Sequence, residues 1–367
     1  MRIIQVLNVR WFNATAWYGL ELARLAREAG HDSLVLGLEG TESLQRAEAL
    51  GLETRALPFN AKSPLAWPGL LARMVSVVRD FKPDVVNCHR GEAFVLWAAL
   101  KGMGFGLVRT RGDQRSPKSN PVNAWLYARA ADAVIATNSV TAGQLRDRLH
   151  VPASKLHILF GGVDTERFAF DAQGRERVRA SLGYREKDVV VGLLGRFDAV
   201  KGQRESITAL ARLVREGLPV RLLLIGFSSA TEEREVRTWI REAGMDHAID
   251  ISGKVDDVPA WISATDLGLV SSLWSETIAR AALEIMACGR PLVSTHVGVM
   301  PDLLPQEALC APNDIDALTE LLRRAVQNIA WREDLCTTNR QRLTDLNSRS
   351  FWEATLAVYE QLVKSAG

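Results

Sequence analysis

Short aliphatic, β-branched runs alternate with segments of helical period along almost the whole sequence, and the alternation starts twice. The first series is IIQVL (3–7), SLVLGL (33–38), DVVNC (84–88), GLVRT (106–110) and AVIAT (133–137). The second is VVVGLLG (189–195), RLLLIG (221–226), DISG (250–253), LGLVSS (267–272) and PLVST (291–295). Continuous apolar strands separated by helices imply parallel sheets covered on both faces. Between the first two strands, Leu20, Leu22, Ala23, Leu25 and Ala26 form an apolar helical stripe that Gly30 closes. The restart falls in GGVDTERFAFDAQGRER (161–177), rich in glycine and charge. A chain of 367 residues fits two domains better than one core. The predicted fold is α/β: two doubly wound Rossmann-like domains, 1–165 and 166–350, facing a central cleft, then a terminal helix over 351–363. Ligands of such folds lie beyond the carboxyl ends of the strands, so functional residues are sought just after these runs.

Composition narrows the class. Apolar residues make up 47% and charged residues 24%, as in ordinary soluble globular proteins. No apolar run reaches the roughly 18 residues of a membrane-spanning helix. The opening MRIIQVLNVRW reads as a first strand, since its apolar run is shorter than a secretory h-region. Cys88, Cys288, Cys310 and Cys336 are scattered, with no CxxC pair. That pattern argues against a zinc site or a disulfide framework and suits a reducing cytoplasm. No ligand set for a metal is evident, and no resident cofactor is expected. Residues 1–165 carry 20 Lys and Arg against 14 Asp and Glu, while the remainder carries 25 against 29. A basic first half suits anionic acceptors, phosphate groups or an acidic membrane surface, and equally fits charge scatter. No helix-turn-helix or aromatic RNA-binding pattern appears, so nucleic acid is not an expected partner.

The most informative segment is SSLWSETIARAALEIMACGRPLVST (271–295). A strand ends at Ser272, and a helix is predicted from Thr277 to Ala287. Glu276 and Glu284 are eight residues apart and would fall about 80° apart around that helix. Glu284 lies within an apolar run, so burial is expected, and a buried carboxylate needs partners. Carboxylates suit sugar hydroxyls because they accept two hydrogen bonds in a fixed plane. The amides of Thr277 and Ile278 would offer a phosphate the helix N-terminus. In VVVGLLGRFDAVKGQ (189–203), Arg196 and Lys201 follow a buried strand on a glycine-punctuated loop and suit a diphosphate. Taken alone, the pair also fits two solvated loop cations.

Together these segments resemble the retaining family 4 glycosyltransferases of the GT-B fold. The resemblance rests on GGVDTERF (161–168), GRFDAVKG (195–202), LLLIG (222–226), SGKVDDVPAWISATDLGLVSS (252–272), the Glu276/Glu284 pair, and GRPLVST with VGVMPDLL (297–304). It implies transfer of a sugar from a nucleoside diphosphate sugar to a saccharide or glycolipid acceptor, in envelope polysaccharide or lipopolysaccharide core synthesis. It implies that Arg196 and Lys201 meet the donor diphosphate, Glu284 the ribose and Glu276 the donor sugar. It places Val255 in the segment that reads the base, and it returns the terminal helix to the first domain. Two departures stand out. The family's Glu-Gly-Phe-Gly-Leu is here Glu276-Thr277-Ile278-Ala279-Arg280, and its histidine after the strand ending at Thr110 gives way to Arg111-Gly112-Asp113.

Asp113 is thus a candidate to orient or deprotonate the acceptor hydroxyl, or else a turn former. His89, after DVVNC, either touches acceptor or is structural. Arg109, Arg111, Arg115 and Lys118 form a basic loop that suits an anionic acceptor or is a solvated face. The stripe in SPLAWPGLLARMVSVVRDF (63–81) fits a core helix or a helix resting on the inner membrane surface. The alternatives to transfer are a GT-B epimerase or phosphorylase, or a non-catalytic nucleotide-sugar-binding partner. No lysine context marks a Schiff-base site. The expected place of work is the cytoplasm, including the cytoplasmic face of the membrane.

Overall fold

The computed structural model describes residues 1–60, 63–113 and 115–366. The chain forms two compact units, Met1–Gly161 with Ser348–Gly367, and Gly162–Asn347. The first joint therefore lies at Gly161–Gly162, four residues before the position read from the sequence.

In the first unit, β1 (Arg2–Leu7), β2 (Asp32–Gly37), β3 (Glu53–Ala56), β4 (Val85–Cys88), β5 (Gly106–Arg111), β6 (Ala133–Ala136) and β7 (Leu156–Ile158) make one sheet in the order β3-β2-β1-β4-β5-β6-β7. Their pairings are parallel. The inner strands are buried on both faces because helices cover both, which is why their sequences are apolar runs. Strand order reverses between β1 and β4, the topological switch point where such sheets open a crevice.

The helix Trp67–Phe81 buries Leu70, Met74, Val77, Val78 and Phe81 while Arg73 and Arg79 stay exposed. Its apolar stripe is core, which answers that sequence alternative. The terminal helix Ser348–Ala366 packs on this same unit. Its Tyr359 hydroxyl accepts from Asn87 Nδ2 at 2.8 Å, and Phe351 meets Tyr18 edge to face at 4.7 Å.

The second unit repeats the plan. β8 (Val189–Leu194), β9 (Val220–Ile225), β10 (Ile249–Ile251), β11 (Leu267–Val270), β12 (Leu292–Thr295) and β13 (Leu309–Cys310) form a parallel sheet in the order β10-β9-β8-β11-β12-β13. Its order reverses between β8 and β11, so the loops after those two strands flank the second switch point.

Candidate active site

Those two loops carry the residues that the sequence singles out. Gly195 follows β8, and the loop turns through Asp198, whose Oδ1 accepts from the Val200 amide at 3.1 Å. Asp198 Oδ2 also holds Arg196 at 2.9 Å, and the Arg196 side chain is partly exposed. Lys201 points back across the switch point to Glu276, Nζ to Oε2 at 2.7 Å. The Ser272 hydroxyl donates to the same oxygen at 2.6 Å. Glu276 is buried, so the ammonium and hydroxyl compensate a carboxylate that would otherwise be costly to desolvate.

Close backbone approach makes this possible. Gly202 has φ +69°, and a Cβ there would lie 2.1 Å from the Ser271 carbonyl oxygen. Gly298, at φ +59°, lies against Glu276, whose carbonyl accepts from the Val299 amide at 2.7 Å. Neither position tolerates a side chain without moving the Lys201–Glu276 pair. The loop at Gly298 is the part of the site that isolated residue reading misses, although the segment VGVMPDLL contains it.

The helix after Glu276 corrects one expectation. It runs Arg280–Ala287, not from Thr277, so Glu276, Thr277 and Ile278 lie in the loop before it. Ile278 is buried, and the first-turn amides belong to Arg280 and its successors. Two features hold the start back: the Glu276 carbonyl is taken by the distant Val299 amide, and Ala279 sits in the left-handed region at φ +52°. Glu276 and Glu284 therefore do not share a helix. Glu284 stands in the helix interior, buried, with Arg280 Nε 2.6 Å from its Oε1. Burial pushes its carboxyl pKa up, while Arg280 and Arg167 pull it back.

Ala279 occupies the place of the second glycine in the motif that this chain resembles. A left-handed alanine costs about 1 kcal/mol, so Ala279→Gly is expected to raise stability by up to that amount. Denaturant unfolding of the two proteins reads the difference, and a lower midpoint for the glycine variant contradicts it.

Val255 is half-buried in the loop after β10. Among the described residues, no cluster of three His, Cys, Asp or Glu side chains could hold a metal ion.

In the first unit the structure redistributes the proposed acceptor residues. His89 follows β4 but is fully buried, with Nε2 2.8 Å from Gln5 Oε1. It closes a buried chain that runs through Gln5, Tyr359, Asn87 and Thr110. Burial and the Arg109 charge lower its pKa to about 3, so the ring is neutral near pH 7. His89 is thus a core residue with no acceptor-facing surface.

The basic loop is likewise divided. Arg109 is fully buried, bonded to the Tyr127 hydroxyl at 3.1 Å and the Cys88 carbonyl at 2.9 Å. Arg111 also turns inward, to the Tyr127 hydroxyl and the Arg115 carbonyl. Only Arg115 and Lys118 remain exposed. Asp113 is the shared counterion: Arg109 lies 3.3 Å away, and Arg111 and Arg90 each 3.6 Å. A carboxylate held among three guanidiniums is a structural tie before it is a proton acceptor.

Two family models cover nearly the whole chain between them. The one described as "Glycosyltransferase Family 4" matches residues 15–167, and "Glycosyl transferases group 1" matches residues 174–342. The chain is a GT-B glycosyltransferase of the family 4 type. Among its curated relatives, a D-inositol 3-phosphate glycosyltransferase of Salinispora arenicola is 26% identical over 316 residues, 77% of this chain and 70% of the relative. Three further proteins of that description match over 42–60% of their own length, and another over 70%. Anabaena HepE, solved in complex with UDP, is 19% identical, with a TM-score of 0.85, and is covered over 98% of this chain and 100% of its own. The lipopolysaccharide outer core galactosyltransferase WaaB is 15% identical, with a TM-score of 0.73, over 98% of this chain and 99% of its own. At these identities the two structures establish the glycosyltransferase's fold.

Proposed function

We propose that this glycosyltransferase moves a hexose-like or heptose-like unit, with retention, from a nucleoside diphosphate sugar to a saccharide or glycolipid acceptor. We place the reaction in cell-envelope polysaccharide or lipopolysaccharide synthesis, on the cytoplasmic side of the membrane. The observation that carries the reading is the Lys201–Glu276–Ser272 cluster, built on two glycine-backed loops at the switch point of the second sheet. HepE, solved with UDP, and WaaB, a lipopolysaccharide outer core galactosyltransferase, support it by analogy.

In this reading Arg196 and Lys201 face the diphosphate. When the bond from the anomeric carbon to the phosphate oxygen breaks, the electron pair stays on that oxygen. The two cations act where this charge grows. The acceptor hydroxyl oxygen bonds to the anomeric carbon from the same face, and its proton passes to the departing phosphate oxygen. Glu276 orients the donor sugar, Glu284 accepts from the ribose hydroxyls, and the backbone near Val255 meets the base. The reading requires no resident metal or cofactor.

The two glutamates separate experimentally. Glu284→Gln is expected to weaken binding of the nucleoside diphosphate itself, whereas Glu276→Gln spares it and cuts transfer. Calorimetry with the nucleoside diphosphate chosen from a thermal-shift panel of nucleotide sugars decides this. Equal loss in both variants would remove the division of labour. Proton NMR of the first-formed product then reads the anomeric configuration, and inversion would overturn retention.

A further inference from the structure

Glu284 meets a counterion within its own helix, a contact that the transferase reading leaves unused. The carboxylate stands among the buried residues Ala282, Leu283, Ile285 and Met286, and only 6% of the residue is exposed. Arg280, one turn earlier, brings its Nε to 2.6 Å from Glu284 Oε1. The motif that this chain resembles has leucine at that position, so the guanidinium is this chain's own addition.

Helix stability does not account for the pair. A cation in the first helical turn opposes the helix dipole, and arginine before glutamate at i,i+4 is the poorer order of the two. The carboxylate does account for it. Burial pushes its pKa up, so it needs positive partners to stay ionised; Arg280 supplies the first and Arg167 a second charge. The Arg280 side chain is itself 38% exposed, so the pair lies where a ligand can meet it.

The pair limits what Glu284 can read. A carboxylate that holds both hydroxyls of a ribose diol gives one oxygen to each, in one plane. Oε1 is committed to Arg280, and Oε2 accepts from no group among the described residues. One oxygen serves one hydroxyl. Ribose and 2′-deoxyribose share the 3′-hydroxyl and differ at the 2′ position alone. We propose that the donor site reads a single ribose hydroxyl, and that Arg280, by occupying Glu284 Oε1, admits 2′-deoxyribonucleoside diphosphate sugars as readily as ribonucleoside ones. Arg280 is then a positioning residue, which sets the carboxylate's capacity and touches no reacting atom. The proposal rests on the transferase reading above and narrows its Glu284 contact from the diol to one hydroxyl.

Calorimetry on the full chain tests it with UDP, GDP, ADP and CDP, each against its 2′-deoxy form, since each pair differs only in the 2′-hydroxyl. For any base that binds, the two affinities are expected to agree within about fivefold, less than the loss of one hydrogen bond to a charged group. Arg280→Leu releases Oε1 to the 2′-hydroxyl, so the ribonucleotide should gain over its deoxy partner by about tenfold or more, the scale of that bond. Arg280→Lys, whose ammonium still reaches a carboxylate at i+4, should keep the pairs matched. Thermal unfolding shows which variants fold, and if Arg280→Leu does not, the unmodified chain still decides. A larger preference for the ribonucleotide in the unmodified chain overturns the proposal and leaves the transferase reading intact. So does a folded Arg280→Leu protein with matched pairs, because Arg280 then plays no part. Binding of none of these nucleotides would overturn the donor site itself, and the proposal with it.

Discussion

Lys201→Ala is expected to lower sugar transfer on the order of 100-fold at saturating donor, the scale of removing one preorganised charge stabiliser. Two losses coincide in this variant. The diphosphate loses a cation as its charge develops, and Glu276 loses the ammonium 2.7 Å from its Oε2. That carboxylate oxygen then keeps the Ser272 hydroxyl. Because the two residues act as a pair, Lys201→Ala with Glu276→Gln should cost less than the sum of the single changes. Arg196→Ala should also lower transfer, but its partner Asp198 is on the same loop, so its loss should add to that of Glu276→Gln. Initial rates of the single and double variants check this. A near-normal rate for Lys201→Ala would show that the diphosphate lies elsewhere.

Asp113→Asn is expected to destabilise the first unit by about 2–3 kcal/mol, below the full cost of breaking a buried charge pair because Asp113 is partly exposed. Asp113 is 23% exposed at its side chain, but Arg109 is not exposed at all, and among the described residues no other carboxylate forms an ion pair with it. For a unit of this size the loss corresponds to a fall of roughly 5–10 °C in the melting temperature. The chemistry gives a second reading. A residue that only fixes the arginines lowers donor hydrolysis and sugar transfer together, because both depend on the intact loop. A base that serves the acceptor lowers transfer and spares hydrolysis. The geometry favours the parallel fall. Thermal unfolding together with both assays separates the two, and an unchanged melting temperature with selective loss of transfer would restore the catalytic role.

The inner strands of both sheets were legible in the sequence because burial on two faces demands unbroken apolar runs. The strands it did not reveal are Glu53–Ala56, Leu156–Ile158 and Leu309–Cys310, all at sheet edges. An edge strand has one neighbour, and these are short; the first is also largely polar and partly exposed. Their strand character comes from the partner across the ladder, not from composition.

The donor residues were legible for a related reason. Arg196, Lys201, Glu276 and Glu284 follow recognisable strands at set spacings, and an acid inside an apolar run announces its own burial. What the sequence determined by itself was therefore the two-sheet α/β plan, the restart near residue 161 and the loops that carry charge at the strand ends. Tertiary structure alone decided what each polar side chain meets. The helix starts at Arg280 because Val299, more than twenty residues away, takes the Glu276 carbonyl. His89 is core because Gln5 and the terminal-helix Tyr359 complete its network. Arg109 and Arg111 turn inward because Tyr127 and Asp113 receive them. Periodicity is a local property that survives in a linear string, whereas the pairing of a buried polar group depends on partners that only the folded chain brings together.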